Sequence, residues 1–145
     1  MDPAQEPLSK VESKLILIVD DEEDMVKVLE LLVKREGFQV DTAMDGQEAL
    51  QKIEQRLPDL ILLDLKMPRV SGLEIIRQLQ VGDAAKVPVI VITGVRSDRQ
   101  TEHLLKQEPN VKAYYSKPAN SAILTMNIHT LLKTKPLLSR KPLEW

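Results

Sequence analysis

Asp59-Leu60-Ile61-Leu62-Leu63-Asp64-Leu65-Lys66-Met67-Pro68 is the stretch on which the reading of this chain turns. Leu60 to Leu63 are four apolar residues in a row, the pattern of a strand buried on both faces. The run ends in Asp64, a carboxylate at the strand's C-terminal edge. In open α/β sheets the ligand crevice lies just outside such edges. Pro68 has no amide to donate and stops the strand pattern. An aspartate can also simply end a strand as a solvated turn residue, so the rest of the chain has to decide what Asp64 does.

Working outward, four more strands flank this one. Residues 14–19 form the first strand, a continuous aliphatic run after Lys14 that ends in Asp20-Asp21. Glu22-Glu23-Asp24 then gives an acidic opening suited to a helix N-terminus, and Met25, Val28, Leu29, Leu32 and Val33 recur at helical spacing before Gly37. Residues 38–43 alternate as a short strand. Asp45-Gly46 marks a turn, and Ala49, Leu50, Ile53 and Leu57 stripe a second helix that closes before Pro58. After the central strand, Ser71-Gly72 opens a third helix carrying Leu73, Ile76 and Leu79. Residues 88–92 form a fourth buried strand ending in Thr93-Gly94. Helix four is the weakest pattern: Ser97 or Asp98 could cap it, and only Leu104 and Leu105 give it an apolar stripe. Residues 111–115 form a fifth strand ending in Ser116-Lys117-Pro118, and a last helix spans about 120–133.

Strands alternating with helices indicate a parallel sheet covered on both faces by right-handed crossovers. The expected fold is a doubly wound α/β sandwich of flavodoxin type with strand order 2-1-3-4-5. One domain over 14–133 is expected, with 1–13 as a flexible leader and 134–145 as a tail. The 145 residues are 43% hydrophobic but only 3% aromatic, so the core must be aliphatic. A net charge of -2 lacks the basic excess of a dedicated nucleic-acid binder. Absence of cysteine excludes disulfides and thiolate metal sites. His103 and His129 lack ligand spacing and read as helix-surface residues. No apolar run approaches a membrane span of roughly 20 residues, and no signal-peptide core is visible, so a cytoplasmic protein is the expectation.

Order 2-1-3-4-5 makes strands one and three neighbours, with Asp20, Asp21 and Asp64 at their ends, at the switch point where a crevice forms. Three carboxylates at one edge repel one another unless a cation joins them, and Mg²⁺ is the usual hard cation where phosphate is also handled. Thr93 adds a hydroxyl and Lys117 a mobile positive charge. These are the parts needed to hold a phosphoryl group on a carboxylate.

Val19-Asp20-Asp21-Glu22, Asp45-Gly46-Gln47-Glu48-Ala49-Leu50, the central stretch, Ser71-Gly72-Leu73-Glu74, Val91-Ile92-Thr93-Gly94 and Tyr115-Ser116-Lys117-Pro118, in this order, resemble the receiver domain of two-component response regulators. The resemblance implies that Asp64 accepts a phosphoryl group from the phosphohistidine of a sensor histidine kinase or phosphotransfer protein. It implies Mg²⁺ on Asp21, Asp64 and the Lys66 carbonyl, with Asp20 acting mostly through water. Thr93 and Lys117 would bind phosphoryl oxygens, and Tyr114 would turn inward as Thr93 moves. A cis Lys117-Pro118 bond, a changed surface of helix four, strand five and helix five for a downstream protein, and room for a phosphorylation-dependent dimer are also implied. Such a protein is a signalling phosphoacceptor with limited autophosphorylation and autodephosphorylation activity. A departure stands at Lys106-Gln107-Glu108-Pro109-Asn110, where a small insertion precedes strand five.

Three other readings are weaker. A haloacid dehalogenase-type phosphatase needs Asp-x-Asp at the nucleophile, and position 66 is Lys. A flavin-binding flavodoxin needs a Ser/Thr/Gly-rich phosphate loop after strand one, where this chain has Asp20-Asp21-Glu22-Glu23, which would repel a phosphate. A receiver-like module that no longer takes phosphate would not need the intact Asp20, Asp21, Asp64, Thr93 and Lys117.

Overall fold

A computed structural model describes residues 7–67, 69–94 and 99–137. Its elements run β1 (Leu15–Val19), α1 (Glu23–Arg35), β2 (Gln39–Ala43), α2 (Gly46–Gln55), β3 (Leu60–Leu63), α3 (Gly72–Gln78), β4 (Val89–Thr93), α4 (Arg99–Lys106), β5 (Val111–Ser116) and α5 (Ser121–Leu132). The five strands are parallel, in the expected order β2-β1-β3-β4-β5. Every residue of β1, β3 and β4 is buried. The flanking β2 and β5 are only partly covered and carry polar residues accordingly.

Alternation of side chains along the strands divides the core into two layers. Leu17, Val19, Ile61, Leu63 and Val91 face Ala49, Ile53, Ile75, Ile76 and Leu105 of α2, α3 and α4. Ile16, Ile18, Leu60, Leu62, Ile90 and Ile92 face Val26, Leu29, Val33, Leu124, Ile128 and Leu132 of α1 and α5. The register holds the central strand in place: Ile61 pairs with Leu17 on one side and Val89 on the other. Leu105 is the sole buried residue of α4, which explains the faint stripe of that helix in the sequence.

Helix starts are fixed by short polar side chains at the strand ends. Asp45 accepts from the Glu48 amide at 2.8 Å, Ser71 from the Glu74 amide at 3.3 Å and Asn120 from the Ile123 amide at 3.1 Å. Asp45-Gly46 is thus a cap that opens α2. The helix ends use left-handed residues, Gly37 after α1 (φ 99°) and Lys133 after α5 (φ 55°).

Several local features differ from the sequence reading. Part of the expected leader is packed: residues Val11–Ser13 form a 3-10 turn, and Val11 is buried against the α1/α5 layer. The Ser9 amide donates to the Lys133 carbonyl at 2.8 Å, and Ser9 bridges Thr134. Thr134, at the start of the expected tail, is itself buried. An apolar Val in a polar stretch was the only signal for this. A second 3-10 segment, Gly82–Lys86, links α3 to β4. The segment 106–110 before β5 turns with Asn110 buried, its carbonyl accepting from the Val89 amide at 2.7 Å. A register shift follows, with Val89 opposite Val111 but Ile90 opposite Ala113. The expected strand stop at Pro68, the helix-four caps at Ser97 or Asp98, and residues 1–6 and 138–145 of the leader and tail lie outside the described residues.

His129 is the clearest correction. It was expected on a helix surface but is 2% exposed. Its Nε2 lies 2.6 Å from Glu36 Oε1 and its Nδ1 2.7 Å from Thr134 Oγ1. Glu36 Oε1 also accepts from the Leu137 amide at 3.1 Å. Glu36 is 93 positions away, so periodicity within α5 alone could not reveal the partner.

Candidate functional site at the carboxyl edge of the sheet

Strand pairing brings the expected residues to one edge. The Asp64 amide donates to the Val19 carbonyl at 2.9 Å and the Asp20 amide to the Ala43 carbonyl at 3.1 Å. These ladder bonds carry β3 and β1 to the point where their side chains leave the sheet. Asp20 and Asp64 are buried, whereas Asp21 is exposed. Carboxylate oxygens of Asp20, Asp21 and Asp64 all lie within 4.8 Å of one another. Thr93, the last residue of β4, is fully buried, and its carbonyl accepts from the Lys117 amide at 2.9 Å. That bond ties the end of β4 to the segment carrying Lys117, where the Lys117-Pro118 bond is cis.

Lys117 is more than a spare charge beside the crevice. Its Nζ lies 2.8 Å from Asp20 Oδ2, 3.4 Å from Asp64 Oδ2 and 3.3 Å from Glu22 Oε1. The repulsion expected between the carboxylates without a cation is therefore relieved, for the buried pair Asp20 and Asp64, by a cation of the protein itself. Burial pulls the Lys117 ammonium down, but the hydrogen bond to Asp20, the charges of Asp64 and Asp20 and the hydrogen bond to Glu22 outweigh it, leaving the group above its ordinary value. Asp20 also sits above the usual carboxylate range. Burial dominates there, and the Lys117 and Glu22-amide hydrogen bonds offset it only in part. Glu22 was read only as a helix-opening acid. Its contact with Lys117, 95 positions away, was invisible to local pattern.

Asp21 makes no ion pair among the described residues, so one ligand atom faces solvent beside two buried ones. This mixed set of hard oxygens fits a small divalent cation. The Lys66 amide donates to Asp64 Oδ1 at 3.3 Å, folding the β3–α3 loop back over the acidic residue. Tyr114 is half-buried and packs on the α2/α3/α4 layer, two residues from the end of β5.

The loop after β3 is held tightly by Gly72. A Cβ at this position would stand 2.6 Å from the Asp64 carbonyl oxygen and 2.7 Å from Leu65 Cα, both backbone atoms. Gly72→Ala should therefore displace the loop that carries Asp64 and cost about 1–3 kcal/mol. Urea unfolding gives the value, and a variant as stable as wild type would show that the loop yields freely.

The comparisons with known proteins agree with this fold. The family model for the response regulator receiver domain matches residues 16–129. The alkaline phosphatase synthesis transcriptional regulatory protein PhoP of Bacillus subtilis is 35% identical over 121 residues, covering 83% of this chain and 49% of that protein. The response regulator ArlR of Staphylococcus aureus is 36% identical over 121 residues, with 83% and 53% covered. The chain thus spans about half the length of these curated relatives. Among solved structures, the CheY-like receiver domain protein of Methanospirillum hungatei superposes with TM-score 0.75 at 28% identity, over 82% of this chain and 93% of that one. The signal receiver domain of a histidine kinase from Syntrophus aciditrophicus gives TM-score 0.75 at 28% identity, over 82% and 89%. No helix among the described residues is long and apolar enough to cross a membrane. With the family model matching residues 16–129 and curated response regulators 35–36% identical over 83% of this chain, the chain belongs to the response regulator receiver domains of two-component systems.

Proposed function

We propose that this chain is a phosphoacceptor switch in which Asp64 receives a phosphoryl group from the phosphohistidine of a sensor kinase or phosphotransfer protein. The observation that carries the reading is the placement of buried Asp64, Lys117 Nζ at 3.4 Å and the end of β4 at Thr93 on one edge. In the transfer, an Asp64 carboxylate oxygen forms the new O–P bond as the P–N bond to the donor imidazole breaks. The imidazole leaves with the electron pair of that bond. Hydrolysis later returns the carboxylate and inorganic phosphate, a limited activity of the protein on itself.

Asp20, Asp21 and Asp64, with the Lys66 carbonyl, would hold Mg²⁺, which when bound supplies positive charge against the phosphoryl oxygens. Lys117 has to change partners. In the unphosphorylated state it serves Asp20, Glu22 and Asp64. An acyl phosphate on Asp64 offers it stronger acceptors, and Thr93 offers a hydroxyl to another oxygen. Movement of Thr93 inward would open space toward which Tyr114 turns. Two arrangements that differ by a few kcal/mol are enough for a phosphoryl group to reverse their populations. The α4-β5-α5 surface would then be presented to a downstream protein or to a second copy, with no direct contact to nucleic acid and in the cytoplasm.

Beryllofluoride with Mg²⁺ mimics the phosphoryl group and tests the switch. Amide shifts are expected to spread from Asp64 through Thr93 into β5 and α4, and Thr93→Ala should confine them to the pocket. Shifts confined to the pocket in wild type would remove the case for a switch through Tyr114.

A further inference from the structure

Glu22 stands just before α1, where a short polar side chain would cap the helix. Its carboxylate makes no capping bond. The backbone alone is fixed there: the Glu22 amide donates to Asp20 Oδ1 at 2.9 Å, and the Glu22 carbonyl accepts from the Val26 amide at 3.0 Å. The side chain turns instead to Lys117, with Oε1 standing 3.3 Å from Nζ. It is 63% exposed, whereas Asp20 and Asp64, the other two partners of that ammonium, are buried.

An ammonium has three N–H donors, and here three carboxylates surround it. Two of them have a second task. Asp20 and Asp64 belong to the set that would hold Mg²⁺, and Asp64 is also the proposed phosphoryl acceptor. Glu22 has neither role. Once Asp20, Asp21 and Asp64 are engaged by the ion, Glu22 is the carboxylate left to hold Lys117 against an incoming phosphoryl group. Its hold is screened by water and salt. Lys117 can therefore leave Glu22 without stranding a buried charge, which leaving Asp20 in the metal-free protein would do.

We propose that Glu22 is a positioning residue that sets how readily Lys117 is released to a phosphoryl group on Asp64. The proposal rests on Asp64 being the acceptor. A carboxylate at position 22 opposes that group in two ways. It competes for the ammonium, and because Glu22 and Asp64 meet the same ammonium, its charge also repels an anion on Asp64. Glu22 thus favours the resting state, from a site that the fold of α1 does not need.

Beryllofluoride, titrated into the full chain at saturating Mg²⁺ and followed by amide shifts, tests this. Glu22→Gln keeps the shape of the side chain and removes its charge. The variant should bind beryllofluoride about two- to fivefold more tightly than wild type, the span of an exposed ion pair. The gain should shrink as salt is raised, and affinity for Mg²⁺ alone should not rise. Equal or weaker beryllofluoride binding by Glu22→Gln would overturn the proposal and leave Asp64 as the acceptor. A gain that high salt does not reduce, or one matched by tighter binding of Mg²⁺ alone, would overturn it too, since a general loosening of the site would then account for it. If wild type itself does not bind beryllofluoride, the phosphoacceptor reading fails and this proposal with it.

Discussion

Replacing Lys117 by methionine should destabilise the metal-free protein by about 3 kcal/mol at neutral pH, the scale for removing one partner from a buried ion pair. The ammonium lies among Asp20, Asp64 and Glu22, with its side chain 9% exposed and those of Asp20 and Asp64 3% and 5%. Its folded pKa is raised despite burial because the contacts with Asp20, Asp64 and Glu22 win. A cation raised on folding contributes stability that is fully present below its unfolded value, about 10.4, and lost only as pH climbs through the folded value. At neutral pH wild type has the whole contribution and the variant none.

Asp20 sets the acid side of the same curve. Its folded pKa is raised, chiefly by burial, so it adds stability in acid and loses it as pH rises through its folded value. Without Lys117 that loss deepens, since the two buried carboxylates face each other with no positive charge between them. The gap between wild type and Lys117→Met should therefore narrow as pH falls from neutral into mild acid. Mg²⁺ should return part of the lost stability, more for the variant than for wild type. Urea unfolding at neutral and mildly acid pH checks all three points. A gap that is absent, or that does not change with pH, would mean that the ammonium does not stabilise the cluster.

The second large effect is expected far from the acidic edge. His129→Ala should cost about 3 kcal/mol, from lost ring packing and a buried polar partner left behind, or a fall in Tm of about 10 °C for a chain of this size. It removes the ring that meets Glu36 at 2.6 Å and Thr134 at 2.7 Å. It also removes the packing of His129 on Phe38, whose ring centroid is 5.1 Å away. The Glu36 carboxyl stays buried with the Leu137 amide but without the imidazole. A buried acidic group that loses a partner accounts for most of the penalty, so Glu36→Gln in the His129→Ala background should recover part of it. Calorimetry on the single and double variants decides. An unchanged Tm, or a double variant no better than the single, would remove this cluster from the forces that hold α1, α5 and the following turn together.

The contrast between these two clusters shows what the sequence can disclose. β1, β3 and β4 announce themselves because a strand buried on both faces must be apolar at every position, as Leu60 to Leu63 are. Alternation with helices indicates a doubly wound sheet, and in the order 2-1-3-4-5 that the receiver resemblance implies, Asp20, Asp21, Asp64, Thr93 and Lys117 fall on one edge. Geometry within that edge does not follow. Lys117 was expected to await a phosphoryl group, yet its first partners are Asp20 and Glu22. Glu22 at the opening of α1 looks the same in sequence whether it caps a helix or holds a lysine.

His129 was hidden for a different reason. A polar residue on a helix reads as surface unless its partner is known, and Glu36, Thr134 and Leu137 arrive from other elements. The burial of Val11 and of Asn110 was missed similarly, because each is defined by contacts that only the closed fold creates. The Gln80 side chain, for example, reaches Asn110 Oδ1 at 2.6 Å across 30 positions.

The central claim is that Asp64 is the phosphoryl acceptor. Intact-mass measurement after incubation with Mg²⁺ and acetyl phosphate, a small phosphoryl donor, tests it most directly. Wild type should gain one phosphoryl group, the gain should disappear when Mg²⁺ is chelated beforehand, and Asp64→Asn, with its fold intact, should gain none. Equal labelling of wild type and Asp64→Asn, or no labelling of wild type under conditions that phosphorylate another receiver domain, would contradict the account.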